Sequence, residues 1–212
     1  VFNSIIAVEM KKGKESPFEI NPFVNPGAIA TTSLVKGIDS AERWKRILGI
    51  HEAFAGDTLG IEEVVYKSEA ATNQRNRAIA ALLHAYDRLY FDPEQSTDIY
   101  TRQCAISVNT SDLAIMGATL ANGGTNPVTK AAVVKPQTAE QVMSVMATCG
   151  LYDGAGTWLY KTALPAKSGV GGGIVAVVPG KFGIAAFSPR LDAAGNSVRA
   201  QMAIEDIINV LK

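Results

Sequence analysis

Seven residues, Lys167-Ser168-Gly169-Val170-Gly171-Gly172-Gly173, run straight into the apolar stretch Ile174 to Val178 and constrain the fold more than any other segment. Glycines that lead into a strand leave its first pleats without Cβ atoms. Such backbone serves either a close packing contact or a ligand laid against exposed N–H groups. A dinucleotide fingerprint does not fit, because its glycines must follow a strand and open a helix. A phosphate loop does not fit either, since Gly180-Lys181 is followed by Phe182 and no glycine stands five residues before Gly180. Residues 173–178 and 182–187 are β-rich and flank Pro179-Gly180-Lys181, which predicts an antiparallel hairpin.

The middle of the chain has the opposite period. Apolar residues at helical spacing predict helices over about 39–54, 73–90 and 138–149, the second carrying Ile79, Leu82, Leu83, Tyr86 and Tyr90 and closing at Asp92-Pro93. Further helical segments are predicted from Ser96, from a Thr110-Ser111-Asp112 cap to Leu120, around Trp158-Leu159-Tyr160, and over 196–211. Residues 2–9 read as a strand ended by the lysine-rich turn Lys11 to Ser16. Strand-like ends around a helical middle predict an α/β (α+β) fold. The expected division is a sheet lobe from 1–36 and 165–212 and a mainly helical lobe from 37–164.

Composition narrows the ligand classes. Twenty Lys+Arg against twenty Asp+Glu give no net field for nucleic acid or an anionic membrane. A small neutral or zwitterionic ligand fits better. Two cysteines, Cys104 and Cys149, are too few to staple 212 residues, so reduced thiols in a cytoplasmic protein are expected. His51 and His84 lack metal-ligand spacing, and neither a metal nor a cofactor is expected. No apolar run approaches the roughly 20 residues of a membrane span.

Several polar segments carry candidate chemistry. Two prolines and a glycine in Asn21-Pro22-Phe23-Val24-Asn25-Pro26-Gly27 hold both asparagines in fixed directions, for a site or for a structural turn. In Ser68-Glu69-Ala70-Ala71-Thr72-Asn73-Gln74-Arg75-Asn76, a carboxylate beside amides suits the ammonium and carboxylate of an amino acid; it also suits the first turn of a helix. Tyr100 and Tyr152 are each either a proton carrier or a residue at the core edge. Ser33-Leu34-Val35-Lys36 satisfies Ser-x-x-Lys, but Gly37 and Asp39 break any long helix there. A helix-end serine and a solvated lysine are expected.

Lys167-Ser168-Gly169 resembles the Lys-Ser/Thr-Gly element of penicillin-recognising enzymes, whose first element is a Ser-x-x-Lys. Together with Phe2-Asn3-Ser4, the segment Asn21 to Ala30, Ser68-Glu69 with Asn73 to Asn76, and Pro165 to Gly173, it resembles the serine-dependent glutaminases of the β-lactamase-like superfamily. That resemblance implies a serine β-lactamase-like fold with an antiparallel sheet lobe and a helical lobe. It implies hydrolysis of the side-chain amide of L-glutamine to L-glutamate and ammonia through a serine acyl-enzyme. It matches Asn25, Glu69, Asn76 and Tyr100 to substrate-binding residues, and Tyr152 and Val170 to residues that both bind and catalyse, Val170 through its backbone N–H. It also implies a homo-oligomer, dimer or tetramer. Pro26 stands where the family commonly has alanine. The family's nucleophile precedes the Phe-Asn-Ser stretch, so the chain is expected to be the C-terminal two-thirds of such a domain, inactive alone. The alternatives are a penicillin-recognising acyl transferase or esterase, and a non-catalytic binding module.

Overall fold

The computed structural model describes residues 21–211; the expected strand at 2–9, Phe2-Asn3-Ser4 and the lysine-rich turn lie outside them. Two compact units are formed. One comprises the described part of Val1–Gly49 with Leu59–Ser107, and the other Ile50–Thr58 with Val108–Lys212. These units are drawn differently from the expected lobes, because residues 108–164 group with the strands and residues 21–36 do not.

The first unit is helical: α1 (Asn25–Ser33), the first part of α2 (Ser40–Ala55), α3 (Glu63–Thr72), α4 (Gln74–Ala85) and α5 (Pro93–Cys104). Its core is a small apolar cluster of Ile29, Ile79, Ala80, Leu83 and Leu89, with Ala30 and Tyr100 packed against it. The helix expected over 73–90 is shorter than its apolar pattern. It stops at Ala85, Asp87 takes a left-handed φ of 54°, and Leu89 is buried where Tyr90 is exposed. Asp92-Pro93 opens the next helix, Asp92 accepting from Gln95 N at 2.9 Å with Pro93 in the first turn. Helix α3 has no buried residue and therefore no apolar stripe to announce it.

The start of α1 explains the proline-rich loop. Asn21 Oδ1 accepts from Phe23 N at 2.9 Å, an Asx turn, and Gly27 lies so close that a Cβ there would stand 2.3 Å from Asn21 O. Pro26 sits in the first helical turn, where its missing N–H removes no intrahelical bond. At the other end Ser33 is buried; its Oγ donates to Ala30 O at 2.6 Å and accepts from Tyr90 N at 3.0 Å, while Lys36 is exposed. The Ser-x-x-Lys match thus performs a structural task.

The second unit carries α6 (Thr110–Ala121), α7 (Pro136–Cys149), a 3₁₀ turn at Tyr152–Gly154, α8 (Ala155–Thr162), β1 (Ala166–Ser168), β2 (Gly173–Val178), β3 (Phe182–Phe187) and α9 (Val198–Leu211). Asn109 caps α6 in a reciprocal box with Asp112, one residue before the expected cap. The three strands form one antiparallel sheet in the order β1-β2-β3, with Val178 opposite Phe182 across the expected Pro179-Gly180-Lys181 turn. Ile174 and Ala176 of β2 meet Trp158 of α8 and Ala200, Ile204 and Ile208 of α9 in the core, whereas Ile207 and Leu211 of the expected stripe are exposed.

Helix α6 lies against the sheet at backbone distance. A Cβ on Gly183 of β3 would stand 2.3 Å from Ala118 N and 2.4 Å from Ala114 O, and one on Gly117 would stand 2.9 Å from Val175 Cγ2. At Gly183 no side chain fits between these elements. Gly183→Ala is therefore expected to destabilise the protein by about 1–3 kcal/mol through overpacking, read as a lowered midpoint in chemical denaturation.

Candidate active site

The four candidate residues of the first unit come from four elements. Asn25 opens α1, Glu69 lies in α3, Asn76 in α4 and Tyr100 in α5. Three of them form one chain: Tyr100 Oη donates to Asn25 Oδ1 at 3.2 Å, and Asn25 Nδ2 donates to Asn76 Oδ1 at 2.9 Å. Each is only partly buried. Donation in one direction along the chain leaves the Asn76 amide N–H₂ as the outward donor and fixes how each amide is turned.

Glu69 is exposed and joins the group through a residue the sequence patterns did not single out. The Cys104 thiol hydrogen-bonds with Tyr100, and the Glu69 carboxylate acts on it electrostatically. Burial is the main cause that pushes the Cys104 thiol up; Glu69 adds to it and the Tyr100 bond opposes it. The side chain of Cys104 nevertheless reaches solvent. Tyr100 and Cys104 are four residues apart on α5, so spacing was the one available signal.

The break between α3 and α4 places these groups. Asn73 ends one helix and precedes the other, and its Nδ2 donates to Thr101 Oγ1 of α5 at 3.3 Å. The single helix read over 73–90 thus begins at a buried asparagine that turns the chain, which separates Glu69 from Asn76.

Tyr152 and Val170 fall in the second unit. Tyr152 opens the 3₁₀ turn with a left-handed φ of 50°. Such a conformation in a non-glycine residue costs about 1–3 kcal/mol and is held only by its surroundings. Here the Lys167 ammonium sits 4.6 Å from the centre of the Tyr152 ring. Lys167 also donates to Ser168 O, and burial lowers its pKa to about 8.

The glycine-rich stretch after β1 is a compact turn. Gly169 N donates to Gly173 O and Gly172 N to Gly169 O, both at 2.9 Å, with Gly172 at φ 106° where a Cβ would stand 2.5 Å from Ser188 O. Among the described residues the Val170 N–H has no backbone acceptor, and the Val170 side chain is exposed. A Cβ on Gly195 would stand 3.7 Å from both Tyr152 Cε2 and Val170 Cγ1, so Gly195 brings the two expected residues to one place.

Asn196 is the other residue that sequence patterns passed over. It is buried, accepts from Ser168 Oγ at 2.6 Å, and donates from Nδ2 to Leu151 O at 3.1 Å. One amide therefore ties the Lys-Ser-Gly strand to the residue before Tyr152.

Comparison with known proteins shows the family. The sequence model of the Glutaminase family matches residues 1–212. A glutaminase of Colwellia psychrerythraea is 50% identical over 210 residues, covering 99% of this chain and 66% of that protein. A solved probable glutaminase, ybaS, superimposes with a TM-score of 0.94 at 48% identity, over 99% of this chain and 67% of the other. The glutaminase YbgJ of Bacillus subtilis, solved as a covalent complex with 5-oxo-L-norleucine formed from 6-diazo-5-oxo-L-norleucine, gives 0.88 at 32% identity over 98% of this chain and 77% of the other. The present chain spans about 66% of the length of the curated Colwellia relative. Its mixture of helices and a small antiparallel sheet is the serine β-lactamase-like fold of these structures. The fold, the match along all 212 residues and the identity near one half together make this chain a member of the glutaminase family.

Proposed function

We propose that the protein hydrolyses the side-chain amide of L-glutamine to L-glutamate and ammonia. The observation that carries this reading is the bonded Tyr100–Asn25–Asn76 chain, with the Glu69 carboxylate beside the Cys104 thiol that Tyr100 also bonds, in a member of the glutaminase family. An α-amino acid needs an anion for its ammonium and N–H or O–H donors for its carboxylate. Glu69 supplies the first; the Asn76 N–H₂ and the second Nδ2–H of Asn25 supply the second, and Tyr100, whose O–H is bonded to Asn25, orients them. The YbgJ adduct supports the same substrate shape, because 6-diazo-5-oxo-L-norleucine carries its carbonyl where glutamine carries its amide carbonyl, on the same L-amino-acid frame.

The proposed reaction has two steps. The family's serine, placed by resemblance before Phe2-Asn3-Ser4, attacks the amide carbon while its lysine takes the hydroxyl proton. The Val170 N–H helps stabilise the oxyanion, the C–N bond breaks, and Tyr152 passes its proton to nitrogen and takes back the one held by the lysine, so that nitrogen leaves as ammonia. Water then opens the ester to glutamate. Family membership does not favour the penicillin-recognising or non-catalytic alternatives. We place the protein in the cytoplasm as a homo-oligomer, dimer or tetramer. Neither cysteine is in a disulfide among the described residues, no described helix is long and apolar enough to cross a membrane, and α9 exposes the apolar side chains of Met202, Val210 and Leu211.

Two outcomes test the reading. In the protein with all its encoded residues, Glu69→Gln is expected to weaken L-glutamine binding by about 1.5–3 kcal/mol, the worth of a hydrogen bond to a charged group. Steady-state kinetics would show it as a raised KM; an unchanged KM removes Glu69 from the ammonium site. For Lys167, the folded state releases its proton near pH 8 and the unfolded chain near the ordinary 10.5. Between these values the unfolded chain binds more protons, so this lysine makes stability rise with pH across that window. Lys167→Met is expected to lose that rise, visible as a flatter curve of thermal midpoint against pH from about 8 to 10.5.

A further inference from the structure

Helix α3 carries Glu69 and buries none of its residues, so apolar packing does not set its rotation about its own axis. A roll of about 20° would swing a carboxylate lying about 6 Å from the axis by about 2 Å. Such a displacement is large for a site that must meet an ammonium, where an error of about 1 Å can cost a hundredfold. Something directional has to hold the helix.

Among the described residues the links that do so run to α5 and to Ala105 and Ile106 just after it. At the head of α3, Glu62 N donates to Ala105 O at 2.8 Å and Ile61 bridges to Ile106; at its end Asn73 donates to Thr101. In the middle, one turn before Glu69, Tyr66 Oη donates to Asp98 Oδ1 at 2.5 Å. The other oxygen of that carboxylate, Asp98 Oδ2, accepts from Arg102 Nε at 2.8 Å, and the Arg102 guanidinium lies 5.6 Å from the centre of the Tyr66 ring. The three groups satisfy one another: the arginine fixes the carboxylate, and the carboxylate fixes the phenol. Asp98 and Arg102 are on the helix that also presents Tyr100 and Cys104.

We propose that the Tyr66–Asp98–Arg102 cluster is a clamp that sets the rotation of α3, fixes the reach of Glu69 toward Tyr100, and so determines selectivity for ligands bearing an α-ammonium group. The inference rests on the reading of Glu69 as the ammonium-binding residue. Tyr66, Asp98 and Arg102 are positioning residues: they act through Glu69.

The clearest variant is Tyr66→Phe, which keeps the ring and removes only the hydroxyl. In the protein with all its encoded residues, its KM for L-glutamine is expected to rise at least about threefold with kcat changed less than twofold, the mark of lost substrate binding. The inhibition constant of L-glutamate should rise in parallel, while that of glutarate, the same diacid without the amine, stays within twofold. Asp98→Asn, which keeps an acceptor for Tyr66 but weakens the hold of Arg102, should shift the glutamate constant in the same direction by less. Glu69→Gln serves as the control for the underlying reading. If it lowers the preference for glutamate over glutarate and Tyr66→Phe does not, the clamp is wrong and the reading stands. If neither changes that preference, both are overturned. Equal weakening of glutamate and glutarate in Tyr66→Phe would mean general loosening of the unit and would also overturn the clamp.

Discussion

Ser168 Oγ donates to Asn196 Oδ1 at 2.6 Å across 28 residues of sequence, and both side chains are almost fully buried. The arrangement of the second unit depends on this contact. Asn196 also donates to Leu151 O, and Asp192 Oδ1 accepts from Asn196 N at 3.0 Å, while Ser168 N donates to Gly150 O at 3.1 Å. Gly150 lies so close to β1 that a Cβ would stand 1.7 Å from Ala166 O. A polar pair of this kind is worth about 1 kcal/mol when made, and leaving a buried member unpaired costs about 1–3 kcal/mol. The strand bearing Lys167, the turn bearing Tyr152 and the loop bearing Gly195 are therefore fixed together. The Lys167 cation over the Tyr152 ring joins two of the parts so fixed.

The first unit uses a different device. Its apolar cluster is small, and the groups proposed to meet substrate are joined by side-chain hydrogen bonds reaching from α1 to α4 and α5. Gln103 Nε2 donates to Thr32 Oγ1 at 2.8 Å, Tyr90 N donates to Ser33, and Arg43 donates to Ser33 O and Val35 O while stacking 3.7 Å from the Phe91 ring centre. Polar links of this sort are directional, so they hold amides and carboxylates in orientation as well as in place. Apolar packing sets which face of a helix turns inward but does not orient its polar groups. A region that must present several oriented polar groups gains from the first kind of contact.

Much of the fold was legible because periodicity reports burial. The hairpin 173–178 and 182–187 appears as expected, and α2, α6, α7 and α9 begin and end within a few residues of their apolar patterns. Helix α3 was not legible, since a helix with no buried face has no stripe. The 73–90 pattern overran because Asp87 turns the chain through a left-handed φ, a local event that hydrophobic spacing does not record. The division into lobes was drawn from the position of strands along the chain, whereas α6 belongs with the sheet through contact at Gly117 and Gly183.

The sequence by itself determined the family, through motifs that stand as unbroken strings: the proline-rich asparagine loop, Ser68-Glu69 and Lys167 to Gly173. It also determined which residue types were available to handle an amino acid. Tertiary structure decided what each of them touches. Asn21 makes a turn while Asn25 reaches Asn76 and Tyr100; Ser33 binds a backbone N–H and not a lysine; Cys104 stands between Glu69 and Tyr100. Asn196, which no motif marked, reaches Ser168 and Leu151. The reason is geometric. A motif records neighbours along the chain, but a hydrogen bond is made within about 3.5 Å in space, and the partners of Asn25, Ser33 and Asn196 named here lie between 28 and 75 residues away.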